Sequence, residues 1–121
     1  MHIKKGGKLY IRIDEKVAGK DRNYQDLQDH LSYVKSIASE RYLIGGVFSN
    51  STDAKEGACL FEAENLQEAQ EIVQNDPIIA RGFYRYNLFE WNLLVLSERG
   101  KKRFSENNEK WAPDNNDVFD P

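Results

Sequence analysis

The sequence predicts an α+β domain with its elements in the order β-α-β-β-α-β. Three observations predict it. Four segments have strand character, two carry apolar residues at the 3.6-residue helical period, and each helix falls between two strands.

Residues 8–14, KLYIRID, form the first strand. Leu9, Ile11 and Ile13 alternate with Lys8, Tyr10, Arg12 and Asp14, the period-two signal of a half-buried strand. Residues 15–23 are polar with a glycine and read as a loop. A helix is expected over 24–41, where Leu27, Leu31, Val34 and Ala38 fall at i, i+4, i+7 and i+11 and Ile37 widens the stripe. The second strand covers 42–48, and the loop 49–57, SNSTDAKEG, joins it to an antiparallel third strand at 58–63. Asn65 caps a second helix, with Glu68 three residues on as in a capping box. Asp76-Pro77 starts one more helical turn, since Asp caps well and Pro suits the first helical position. Gly82 ends that turn, and residues 84–96 read as a long aromatic-rich fourth strand. The order is that of the ferredoxin-like fold, whose right-handed crossovers put both helices on one face of an antiparallel sheet.

With 121 residues, the chain has room for one core without staples. Its organisation is expected as a domain over 1–96 and a polar tail over 97–121. That tail includes NNEKWAPDNND and has few apolar anchors. Two readings stand for it: a flexible tail, or an arm whose Trp111 docks on its own or a partner subunit. The net charge of −3, with both signs interspersed, argues against a nucleic-acid footprint. No apolar run approaches membrane-spanning length, and the start goes from basic residues directly into a strand pattern. Cys59 is the only cysteine, so an internal disulfide and a multi-cysteine metal site are excluded, and a cytoplasmic location follows as the default.

Helices cover one face of such a sheet and leave the other open. The fourth strand carries bulky groups on both parities: Tyr84, Tyr86 and Leu88 on one, Phe89, Trp91, Leu93 and Val95 on the other. A strand facing water alternates more cleanly. A homodimer is therefore expected in which two sheets face each other and bury on the order of 1,000 Å² or more. A monomer with an aromatic-rich strand is the alternative.

Few residues can carry chemistry. His30 lies within the apolar stripe of the first helix, so its ring points toward the sheet or its rim. It is either a core histidine satisfied by a backbone carbonyl or a functional imidazole. Asp76 is either a helix cap alone or also a partner for His30, fixing its tautomer and leaving the other nitrogen as a base. Gly45 and Gly46 inside a strand mark a bulge or close approach, either for a ligand over the sheet or for helix packing. Phe48, Tyr84 and Tyr86 are candidate aromatic walls for an apolar ring. His2 has no partner spacing for a metal, no phosphate loop occurs, and no metal or cofactor is expected. Cys59, on a buried strand, reads as packing.

The segment HLSYVKSIASERYLIGGVFSN resembles the helix, strand and glycine-rich turn of YCII-related proteins. LFEAENLQEAQEIVQNDPIIARGFYRYNLFEW resembles their third strand, second helix, Asp-Pro step and last strand. Together these cover most of residues 8–96. The resemblance implies a dimeric α+β barrel with a His–Asp pair as the active site, which falls on His30 and Asp76. It also implies kinship with dehydrochlorinases and muconolactone-isomerase-like enzymes of ring compounds. The long charged tail and the polar 49–57 loop depart from that pattern.

Two functions from different classes follow. One is a cofactor-free enzyme in which His30, oriented by Asp76, moves a proton on a small cyclic or carbonyl compound. The other is a non-catalytic module that binds a small ligand or another protein. A redox or metal enzyme is a distant third, given one cysteine and two histidines.

Overall fold

The computed structural model describes residues 8–38, 40–50, 54–95 and 97–99. Four strands, β1 (Lys8–Lys16), β2 (Tyr42–Val47), β3 (Lys55–Ala63) and β4 (Tyr84–Glu90), alternate with α1 (Tyr24–Ala38), α2 (Leu66–Gln74) and the single turn α3 (Pro77–Ala80). They form one sheet in the order β2-β3-β1-β4, with every neighbouring pair antiparallel. This is the ferredoxin-like arrangement, with the two crossovers running β1-α1-β2 and β3-α2-α3-β4. The expected tail lies outside the described residues apart from 97–99.

The helix ends follow local chemistry. Asn23 and Asp26 cap α1 reciprocally: Asn23 Oδ1 accepts from the Asp26 amide and Asp26 Oδ2 from the Asn23 amide, both at 2.9 Å. Helix α1 stops at Ala38, short of the expected Arg41, because the Arg41 carbonyl already accepts from the Glu62 amide and belongs to the sheet. Asn65 caps α2 as expected, accepting from the Glu68 amide at 2.9 Å. The Glu68 carboxylate reaches back one residue further, to the Glu64 amide.

Strand bounds are set by partners. Strand β1 runs past its expected end to Lys16 because β4 pairs with it down to Tyr84. Strand β3 starts at Lys55, earlier than expected, because Lys55 pairs with Glu15. Strand β4 ends at Glu90, where 84–96 was expected. Its last rung is the Trp91 amide donating to the Leu9 carbonyl, next to the start of β1, and a strand without a neighbour has no ladder to extend.

The core lies between the sheet and α2. Tyr10, Phe61, Ala63, Ala69 and Val73 are buried together, with Tyr86 and Leu88 packed against them. The two parities of β1 are therefore reversed from the simple reading of KLYIRID. Tyr10 and Arg12 are each 1% exposed and face the helices. The aliphatic parity of Ile11 and Ile13 faces away, with Leu60, Ile44 and Phe89 opposite in register.

Gly82 terminates α3 at φ +81°, the left-handed region that L side chains enter at a cost of about 1–2 kcal/mol. Gly82→Ala should lower the unfolding free energy by about 1 kcal/mol, read from the urea midpoint at unchanged slope.

Candidate functional site

The site grows from the middle of β1. Arg12 points from the sheet toward the helices with a 2% exposed side chain. Burying a guanidinium costs several kcal/mol unless it is paired, and Arg12 has two carboxylates. Its Nε donates to Asp14 Oδ1 at 2.7 Å and its Nη1 to Asp76 Oδ2 at 3.0 Å. Nη1 also donates to the Tyr42 hydroxyl at 3.2 Å. Its Nη2 is buried and has no hydrogen-bond partner among the described residues.

Asp76 joins the elements. As the cap of α3 it accepts from the Ile78 amide through Oδ1 at 3.2 Å. The same fully buried carboxylate meets His30 Nδ1 through Oδ1 at 2.9 Å and Oδ2 at 2.8 Å. Asp76 is therefore not a helix cap alone: it caps α3 and also meets a histidine. Helix α1 is held in place for this by three ties. They are the His30–Asp76 contact, the Tyr33 hydroxyl donating to the Ile72 carbonyl at 2.6 Å, and Arg81 of the α3 cap pairing with Asp26 and Asp29 at 2.8 Å each. Only the Asp76 side of the pair is fully buried; the His30 side chain remains 22% exposed.

The electrostatics follow from these contacts. Burial alone would push the Asp76 carboxyl up. The His30 hydrogen bond and the Arg12 charge outweigh it and hold Asp76 below the usual carboxylate range. For Asp14, burial outweighs Arg12 and the carboxyl is raised. Burial also opposes the charge on Arg12, yet Tyr42, Asp14 and Asp76 overcome it and raise its pKa. One guanidinium against two carboxylates leaves the cluster one negative charge, which a proton on His30 would neutralise. Because an ionised Asp76 can only accept, Nδ1 carries the ring proton and Nε2 is the basic nitrogen of the neutral ring.

Cys59 lies beside Arg12 in register. Burial pushes its thiol up to about 11, so it stays protonated and acts as packing. Gly45 pairs with Cys59, and a side chain there would put its Cβ 3.1 Å from the cysteine Cβ. The close approach is therefore strand to strand, just after a register shift between Tyr42 and Ile44. Gly46 lies on the opposite face, with open space around it.

The candidate aromatic walls are dispersed. Tyr86 is across from Asp14 on the helix-facing side, and its hydroxyl accepts from Gln74 Nε2 at 3.0 Å. Tyr84 is buried further along β4, bonded to Glu56 and covered by Arg22. Phe48 is 45% exposed beyond the end of β2. Sequence reasoning missed Arg12, Asp14 and Tyr42. The available signal was the Tyr-x-Arg-x-Asp alternation, which places a cation and an anion on one face of a strand. Among the described residues no group of three or more His, Cys, Asp or Glu is arranged to hold a metal ion. No described helix is long and apolar enough to cross a membrane.

The family model described as the YCII-related domain matches residues 8–92. The uncharacterized protein YjpA of Bacillus subtilis (strain 168) is 32% identical over 71 residues, covering 59% of this chain and 81% of that protein. Among solved structures, the 5-chloro-2-hydroxyhydroquinone dehydrochlorinase TftG from Burkholderia phenoliruptrix AC1100, in complex with 2,5-dihydroxybenzoquinone, superposes with a TM-score of 0.58. It is 20% identical, over 69% of this chain and 93% of that one. At this identity the likeness is one of fold. A dimeric protein of unknown function from Bacteroides fragilis NCTC 9343 is more distant, at a TM-score of 0.37 and 13% identity over 71% of this chain and 97% of that one.

The depressed Asp76 pKa has a sign. A carboxylate whose folded pKa is lowered contributes stability above its unfolded value of about 3.9 and loses it as pH falls through the folded one. The raised Asp14 works the other way, gaining stability as it protonates. Asp76→Asn should cost about 3–5 kcal/mol at pH 7, because Arg12 loses a buried partner. Urea unfolding repeated at several pH values should show a shallower loss below pH about 4 than in the unaltered protein.

Proposed function

The chain belongs to the YCII-related family, and from that premise we propose that it is a cofactor-free enzyme moving a proton on a small cyclic or carbonyl compound. The observation that carries this is His30 Nδ1 lying 2.8–2.9 Å from both oxygens of a fully buried, ionised Asp76. A carboxylate so placed orients the ring, selects the tautomer with a basic Nε2, and stabilises the imidazolium formed on proton uptake. The partial exposure of His30 supports access from outside. TftG, with 2,5-dihydroxybenzoquinone bound, supports a ring compound as substrate class.

In this proposal His30 is the general base and, in the reverse direction, the general acid. Asp76 holds it, and Arg12 keeps Asp76 ionised. Tyr86 is the nearest of the candidate aromatic walls, beside Asp14. The single cysteine, a free and partly buried thiol, fits a reducing cytoplasm.

The assembly proposed with it is a homodimer through the open sheet face. Ile44, Phe89 and Trp91 are each about half exposed there, 45%, 53% and 47%. With the half-buried Ile11 and Ile13 they form one apolar surface.

His30→Gln should slow solvent-deuterium exchange into an enolisable cyclic ketone or hydroxyquinone by about 10²–10⁴-fold, followed by proton NMR. Full exchange in a folded His30→Gln protein would exclude this mechanism. Light scattering at micromolar concentration should give twice the mass of one chain, and Phe89→Glu should shift it toward the single-chain mass. A monomeric unaltered protein would sink the dimer.

A further inference from the structure

We infer that Arg12 Nη2 is the ligand-binding donor of this site, holding the oxygen on which negative charge develops when His30 takes a proton. The inference deepens the proton-transfer reading and rests on it. Three of the five N–H groups of Arg12 are satisfied by protein: Nε by Asp14, and Nη1 by Asp76 and Tyr42. The pair on Nη2 is buried with no acceptor among the described residues. Orphaned donors of this kind are rare in native structures, and leaving a charged group's donors unmade is costly. An arginine at this position is therefore built to receive an acceptor that the described residues do not supply.

The placement of that donor is specific. Asp76 Oδ2 accepts from both His30 Nδ1 and Arg12 Nη1, so the imidazole and the guanidinium converge on one oxygen. His30 Nε2 lies two bonds from Nδ1, and Arg12 Nη2 lies two bonds from Nη1. The imidazole and the guanidinium that carries the orphan donor thus flank the same carboxylate. On the β3 side of Arg12 the sheet carries little bulk, with Cys59 and Gly45 in its register row and Gly57 opposite Asp14 in the next, while Leu88 and Tyr86 flank the same two rows from β4.

The donor narrows the ligand class: the fitting ligand carries an oxygen that bears negative charge once its proton has left, and Arg12 Nη2 is the group that receives it. In the step, a C–H or O–H bond next to a carbonyl breaks and its proton bonds to His30 Nε2. The electron pair moves toward the carbonyl oxygen, which accepts from Arg12 Nη2 as it becomes an enolate or quinone oxyanion. Return of the proton at another atom gives the isomer, with charge and atoms conserved. The class is an enolisable cyclic ketone, lactone or hydroxyquinone.

The test compares two quinones on the full chain. 2,5-Dihydroxybenzoquinone can present the oxyanion, whereas 2,5-dimethoxybenzoquinone cannot ionise. Calorimetry should show the first held about tenfold or more tightly than the second, the worth of one charge-assisted hydrogen bond. Arg12→Lys, which keeps charge but lacks the second nitrogen of the fork, should erase that preference. His30→Gln should retain it while losing deuterium exchange. In unaltered protein labelled with ¹⁵N-arginine, the Arg12 side-chain resonances should move on adding the dihydroxy compound. An unchanged preference in folded Arg12→Lys overturns the inference and leaves the role of His30 to the exchange assay. If Arg12→Lys does not fold, equal affinity for the two quinones, or an unmoved Arg12 signal, overturns it equally.

Discussion

A guanidinium at the centre of a sheet is a demand that the rest of the fold must meet. Arg12 is desolvated on β1, and the cost of burying its charge is offset because Asp14 and Asp76 reach it from two directions. Asp14 comes from the same strand, two residues on. Asp76 comes from the far end of the second crossover, 64 positions later. That second contact positions α3 against β1. Because the same carboxylate also meets His30, it positions α1 as well. One buried ion pair thus sets the mutual placement of both crossovers, and the candidate site is the point where they meet.

The arrangement explains why Asp76 carries several duties in one side chain. Its two oxygens accept from a backbone amide, a guanidinium and an imidazole. Each partner favours the ionised carboxylate against the cost of burial. An ionised carboxylate is also what holds an imidazole in one tautomer. The bonds that make Asp76 structural are therefore the ones that would make His30 a competent base. The turn α3 is too short to stand without tertiary contacts, and it is secured by Arg81 pairing with Asp26 and Asp29.

The two faces of the sheet have opposite characters, and neither matches a simple rule of apolar in and polar out. The helix-facing side of β1 holds Tyr10, Arg12 and Asp14, and the open side holds Leu9, Ile11 and Ile13. The polar parity is inside because it builds the site. The aliphatic parity lies away from the helices, where Leu9 is buried and Ile11 and Ile13 are half-buried.

Much of the fold was legible in the sequence. The order of elements, the Asn65 and Asp76 caps and the stop at Gly82 all rest on local propensities that act within a few residues. Strand ends were less legible, since β4 stops where β1 offers no further partner and β1 continues because β4 does. His30 stood out as a polar ring in an apolar stripe, and Asp76 as an aspartate before proline. Their contact depended on how α1 packs against α3, which no spacing in the chain encodes. Arg12 was the least visible of all. An arginine in an alternating strand is ordinarily solvent-facing, and only the tertiary structure, by bringing the distant carboxylate of Asp76 to join that of Asp14, makes its burial possible.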